Sequence, residues 1–204
     1  MQGAACPFRG LFLYMVAVIL GLALQVGVVY FGWLALVAGV PIGAFGRALR
    51  APLACAAGAS SSLATVPLTL KALKELGVSD GSARMSACVA TNLNNDGILL
   101  YEALAELIGA QAYGIPLGFG ERLMIAAFSV VASIGIAGVP EAGLISLAVV
   151  LTTAGLPLDL LPILLSVDWI LGRCRAMTNV AGDMLGAVLL DRFAPPEDIG
   201  KVEP

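Results

Sequence analysis

The stretch from Asp168 to Asp183, DWILGRCRAMTNVAGD, sets two aspartates and two arginines inside a run that is otherwise apolar enough to cross a bilayer. Insertion scales put a charge at mid-membrane at a cost of at least ~2.5–3.5 kcal/mol per residue, so such a segment must turn its charges away from lipid. A helix advances about 100° per residue, which brings Asp168, Gly172, Arg175, Asn179 and Asp183 within roughly 80° of one another. Trp169, Ile170, Met177 and Val180 are expected on the other side, facing lipid or packing. The stripe predicts a site. A buried ion pair that only fixed helix packing would need neither Asn179 nor the bare Gly172.

Composition supports the membrane setting, with 59% hydrophobic and only 12% charged residues. The net charge of −3 and the lack of a basic block give no footing for nucleic acid. Histidine is absent, which removes Ser-His, Cys-His and His-metal chemistry from this chain. Cys6, Cys55, Cys88 and Cys174 are scattered and read as small apolar fillers. Arg9 before an apolar run superficially resembles a signal peptide, but the run outlasts a signal's usual length and predicts a first membrane helix.

In chain order, the pattern predicts a single membrane domain, all-α and polytopic, with three spanning helices and two re-entrant helical hairpins. Residues 11–46 form the first span, closed near Gly39-Val-Pro41, with Arg47 and Arg50 at a cytoplasmic edge. Residues 48–76 form the first hairpin, because Ser60-Ser-Ser62 and Pro67 interrupt an uncharged run. Residues 84–116 form a second span, partly unwound at Thr91-Asn-Leu-Asn-Asn-Asp-Gly97, where side-chain and carbonyl oxygens suit a hard cation such as Na⁺. Glu102 and Glu106 follow one turn apart, at least one of them facing inward. Residues 121–157 form the second hairpin, broken between Gly135 and Gly143. Residues 160–192 are the final helix, and 193–204, with Asp191 just before them, are expected in solvent. Paired interrupted segments are the pointer to a transporter's binding site.

These motifs resemble those of the dicarboxylate/amino acid:cation symporter family, which includes the glutamate transporters. Ser60-Ser-Ser-Leu-Ala-Thr-Val-Pro67 resembles the family's first hairpin tip, Asn94-Asn-Asp-Gly97 its cation motif, and Ser133-Ile-Gly-Ile-Ala-Gly-Val-Pro140 its second tip. Arg175-Ala-Met-Thr-Asn179, with Gly182-Asp183, is similar to its final helix. The resemblance runs from about Leu11 to Arg192 and covers the C-terminal half of the family. The first five helices, which supply the family's trimerisation scaffold, have no counterpart. The implied setting is a plasma or inner membrane crossed several times.

The resemblance implies a role at each position. Arg175 grips a substrate carboxylate, Asn179 binds polar atoms, Ser61 and Ser62 at the first tip hold a second carboxylate, and Val139 and Gly143 close the second tip. Asp183 ligates Na⁺ with carbonyls of Ala90, Asn94 and Asn179. Asn94 and Asp96 serve a second Na⁺, and carbonyls of Ser133, Ile134 and Ile136 a third. Glu102 stands where the family carries a proton. Na⁺ is the coupling ion, no other cofactor is implied, and no enzymatic activity is expected. Two positions depart from the amino-acid carriers. Gly172 replaces an aspartate that neutralises the substrate ammonium, and Ala176 replaces a threonine. Both resemble the C4-dicarboxylate carriers, so the expected substrate is succinate, fumarate or malate, with an acidic amino acid as the alternative. A fragment that inserts without transporting is a further alternative. An intramembrane aspartyl hydrolase on Asp96 and Asp183 is a remote one, since neither YD nor GxGD is present.

Overall fold

The computed structural model describes residues 5–134 and 142–194, and among these the secondary structure is helical throughout. The first helix, α1 (residues 5–38), is uncharged after Arg9 and widens into π-type turns at Gln25–Tyr30 and Leu34–Ala38. It stops at Gly39, whose φ of +72° is left-handed, and Pro41 follows. The helix therefore ends at Ala38, at the expected Gly39-Val-Pro41 closure, and the remainder of the 11–46 segment enters a separate short helix, α2 (Ile42–Ala48). Arg9–Ala38 is the one helix among the described residues that is long and apolar enough to cross a membrane by composition alone.

α3 (Arg50–Ala59) and α4 (Val66–Glu75) are the two arms of a helical hairpin. Its turn opens at Ser60, a non-glycine residue with φ +51°, and runs through a 3-10 turn at Leu63–Thr65. α5 (Asp80–Arg84) is capped by Ser79, whose hydroxyl accepts from the Ser82 N–H. The chain then passes through a π turn, Met85–Val89, and a 3-10 turn, Ala90–Asn92. Helical geometry is lost at residues 93–95 and resumes in α6 (Asp96–Ala112). The asparagine-rich run is thus a break in a helical rod. α7 (Phe119–Ile134) and α8 (Ala142–Thr153) flank residues 135–141, which lie outside the described residues.

The last helix, α9 (Leu160–Phe193), has 34 residues, about 51 Å at 1.5 Å per residue and more than a bilayer core requires. It packs against α1, both arms of the first hairpin and α6. One apolar cluster joins Tyr30, Leu34, Phe45, Leu73, Met184 and Val188 at one end of the molecule. Another joins Tyr14, Val18, Tyr101, Leu147 and Leu171 at the other. The polar stripe of α9 runs between them. On the side opposite the stripe, expected to face lipid or packing, Val180 is fully buried against Ala56 and Ala176, so α9 is covered on more than its polar side. Asp191 is also not a free solvent group, because its Oδ1 accepts from the Ser79 N–H at 3.0 Å and ties the α4–α5 loop to α9.

Polarity is inverted relative to a water-soluble core. Leu36, Phe119, Val131, Ile145 and Trp169 are exposed, while Glu102, Glu106, Arg175 and Asp183 are buried. Such an exterior is suited to hydrocarbon.

α6 crosses α9 closely enough that a Cβ on Gly97 would lie 2.8 Å from the Arg175 Cα and carbonyl oxygen, with no flexible side chain to yield. Gly97→Ala is therefore expected to destabilise the chain by about 1–3 kcal/mol through overpacking, read as a lower melting temperature in a membrane mimetic.

Candidate functional site

The site is built from α9 outward. Asp168, Arg175, Asn179 and Asp183 are all buried, and they lie on one stripe as the helical spacing requires. Arg175 and Asp168 form an ion pair at 2.9 Å. The guanidinium carbon also lies 4.0 Å from the centre of the Tyr101 ring, whose electron-rich face favours a cation. Tyr101 is held edge-on to Tyr14, with ring centres 5.8 Å apart. Gly172 sits between the charges. A Cβ there would be 3.5 Å from Arg175 Nη2 and 3.8 Å from Asp168 Oδ2, so the missing side chain leaves room beside both. Arg175 Nη1 is buried with no hydrogen-bond partner among the described residues. This leaves a cationic donor for an anionic guest.

The broken rod meets α9 through a hydrogen-bond network. Thr91 Oγ1 donates to Asp183 Oδ2 at 2.6 Å, and Asn94 Nδ2 donates to Asp183 Oδ1 at 2.8 Å. Asn94 Nδ2 also reaches the Asn179 carbonyl at 3.1 Å, and the Gly97 N–H donates to Asn179 Oδ1 at 2.8 Å. Ser86 Oγ donates to the Asp183 carbonyl at 2.6 Å. The bare Gly182 permits this approach, since a Cβ there would sit 2.5 Å from Asn94 Nδ2 and 2.7 Å from the Tyr30 hydroxyl. Asp96 accepts from Gln25 Nε2 at 2.7 Å and the Tyr30 hydroxyl at 2.8 Å, both within the π-type segment of α1. A cavity of about 350 Å³ opens beside Gln25, Tyr30, Asn94, Asp96, Gly182 and Asp183. Asp96 and Asp183 thus each hold their own donors. That arrangement does not suit the shared proton an aspartyl hydrolase needs.

The remaining expected positions divide. Ser61 and Ser62 are buried at the first tip. Ser61 Oγ accepts from the Ala64 N–H at 3.2 Å, and Ser62 Oγ has no partner among the described residues. Ala176 lies on α9 beside the stripe and is buried. The Ala90 carbonyl already accepts from the N–H groups of Leu93 and Asn94, both at 2.8 Å. The Ser133 carbonyl accepts from Asn95 Nδ2 at 2.9 Å, and the Ile134 side chain is exposed. Gly143 falls in the first turn of α8, whereas Ile136 and Val139 lie outside the described residues. Glu102 and Glu106 are both fully buried, with no hydrogen-bond partner for any of their carboxylate oxygens among the described residues. Arg173, on the edge of the stripe, donates through Nε to the Ala57 carbonyl at 3.0 Å and stacks over Trp169.

Sequence reasoning missed the contributions of Gln25, Tyr30 and Tyr101, while Thr91 lay in the polar run it marked but was given no role of its own. Of the three, Gln25 alone carried a signal, as an amide in mid-span. An aromatic residue in an apolar run has no such mark.

A helical membrane domain whose buried arginine and carboxylates meet at interrupted helices defines a transporter-class site. Residues 5–193 match the sodium:dicarboxylate symporter family, and the chain belongs to that family, one of transporters rather than enzymes. Over 146 residues, covering 71% of the chain, it is 44% identical to excitatory amino acid transporter 1 of Homo sapiens, and it spans 27% of that relative. It is 39% identical to excitatory amino acid transporter 4 of Mus musculus over 91% of the chain and 33% of the relative. It is 41% identical to excitatory amino acid transporter 1 of Ambystoma tigrinum over 91% of the chain and 34% of the relative. The chain thus spans about a quarter to a third of the length of these relatives.

Thr91 supplies one of the two side-chain donors to the Asp183 carboxylate. Thr91→Val is expected to cost about 1.5–3 kcal/mol, the worth of a hydrogen bond to a charged group, measured as a lower unfolding temperature in sodium-free buffer.

Proposed function

We propose that the chain is the solute- and ion-holding part of a Na⁺-coupled symporter for an acidic amino acid, working by alternating access in a cell membrane. The observation that carries this reading is the buried Arg175, whose Nη1 has no hydrogen-bond partner among the described residues, next to Asp168 and the missing side chain at Gly172. A guanidinium offers a carboxylate two parallel N–H donors, which a lysine could not do. The substrate ammonium needs a counter-charge, and the residue-172 aspartate that serves it in amino-acid carriers is absent here. Asp168, one turn away, brings an oxygen within 3.8 Å of where a side chain at 172 would begin. When a substrate carboxylate takes Arg175, Asp168 is released to face the ammonium. The three relatives named above, each an excitatory amino acid transporter, favour the same choice.

The dicarboxylate expectation becomes the second reading, favoured by Gly172 and Ala176. With no ammonium to neutralise, Asp168 would instead stay paired to Arg175 or repel the second carboxylate.

In either case Asn179 and Ser62 complete the polar lining, while Asp183 with Thr91 and Asn94, and Asp96 with its α1 partners, are the candidate cation positions. Cations offset the negative charge of the guest during passage through a low-dielectric layer. Glu102, buried without a partner among the described residues, is the candidate proton carrier. The family's trimeric assembly and the scaffold partner it implies belong to this same proposal.

Binding of labelled aspartate and succinate to the purified chain, each with the other as competitor, tests the choice. Aspartate is expected to displace succinate. Arg175→Ala is expected to lower affinity for either solute at least ~100-fold, the loss of a charge-assisted bidentate contact, and near-normal binding would sink the reading. Asp168→Asn is expected to weaken aspartate binding far more than succinate binding, and the reverse order would select the dicarboxylate.

A further inference from the structure

Asn95 lies next to the residues given roles above but was assigned none, and the residue is only 1% exposed. Its amide joins three separate elements. Nδ2 donates to the Ser133 carbonyl, in the last turn of α7, at 2.9 Å, and to the Asn92 carbonyl, in the broken rod, at 3.3 Å. Oδ1 accepts from Nδ2 of Asn179, on the α9 stripe, at 3.2 Å.

Two main-chain carbonyl oxygens from different elements thus converge on one nitrogen. Converging carbonyl oxygens are what a hard cation seeks, and here the partial positive charge of an –NH₂ stands in that place. The orientation of the amide is set by its neighbours. Turned through 180°, Nδ2 would meet the Asn179 Nδ2 donor, and Oδ1 would meet the two carbonyl oxygens. Only a cation among those three oxygens would make the turned form favourable.

We propose that Asn95 is a positioning residue whose amide satisfies the Ser133 and Asn92 carbonyls in place of a cation, docking the end of α7 onto the α9 stripe without an ion at that point. The proposal rests on the symporter reading and deepens it, because it takes the Ser133 carbonyl out of the set of sodium ligands and gives it to a side chain. Asn179 then links Asn95 to the solute-binding stripe, so that a guest on Arg175 and Asn179 is felt at the first arm of the second hairpin through hydrogen bonds alone.

The test uses the full chain in lipid nanodiscs, with unfolding temperature followed as NaCl replaces choline chloride at constant ionic strength. Asn95→Asp and Asn95→Ser are the variants, since both residue types suit the first position before α6 and keep the local start of that helix. The aspartate variant replaces the N–H donor with an anionic ligand. Its sodium midpoint is expected to fall about 10-fold or more, the size of effect one added charge has on a neighbouring ion. The serine variant is expected to fall between it and the wild type. A purely structural role would lower all melting temperatures equally and leave the midpoint where it is, and that outcome overturns the proposal while the symporter reading stands. A sodium response seen in Asn95→Asp but not in the wild type upholds the proposal and removes sodium coupling. No response in any of the three overturns both.

Discussion

The charge of Arg175 is the constraint on which the rest of the arrangement depends. A guanidinium keeps its proton under all ordinary conditions, so it must be answered wherever α9 places it. Asp168 answers it directly and the Tyr101 ring from the side. Removing one member of a buried pair typically costs about 3–5 kcal/mol, because the other charge is then left uncompensated. Tyr101, Tyr14 and the apolar cluster around Leu147 and Leu171 are organised to hold that pair. In the proposed reading a carboxylate guest can compete for the guanidinium because, among the described residues, Nη1 has no partner and the side chain missing at Gly172 leaves room.

The second organising contact is between the broken rod and the lower part of the stripe. A regular helix through residues 90–96 would keep its carbonyls and N–H groups to itself. The break instead frees Thr91, Asn94, Asn95 and the Gly97 N–H to reach α9, and each finds Asn179 or Asp183. The glycines at 97 and 182 are the steric condition for this, since a methyl group at either would strike backbone or the asparagine itself. The π-type widening of α1 has a related effect, bringing Gln25 and Tyr30 onto Asp96. The proposed solute and ion positions are therefore neighbours on one helix, which gives the proposal a physical basis for coupling them.

Much of this was legible in the sequence. The periodicity of Asp168, Arg175, Asn179 and Asp183 placed them on one buried face, and Ser60–Ser62 and Thr91–Gly97 marked the two breaks that the backbone makes. The substrate was less legible. Gly172 read as the loss of a counter-charge, because pattern alone does not reveal that Asp168, one turn away, approaches the same space. Two finer points were not legible for a similar reason. The side opposite the stripe could face lipid or packing, and only the approach of the first hairpin decides that Val180 is packed. The Ser79 N–H that holds Asp191 lies far away in the chain.

The sequence by itself determined the helical class, the apolar exterior and the identity of the charges that had to be hidden, because all three follow from periodicity and the cost of charge in hydrocarbon. Tertiary structure alone decided which groups answer those charges. Pairings between Gln25 and Asp96, Thr91 and Asp183, or Asn95 and Ser133 join residues far apart in the chain, and no local rule of spacing reaches across such distances.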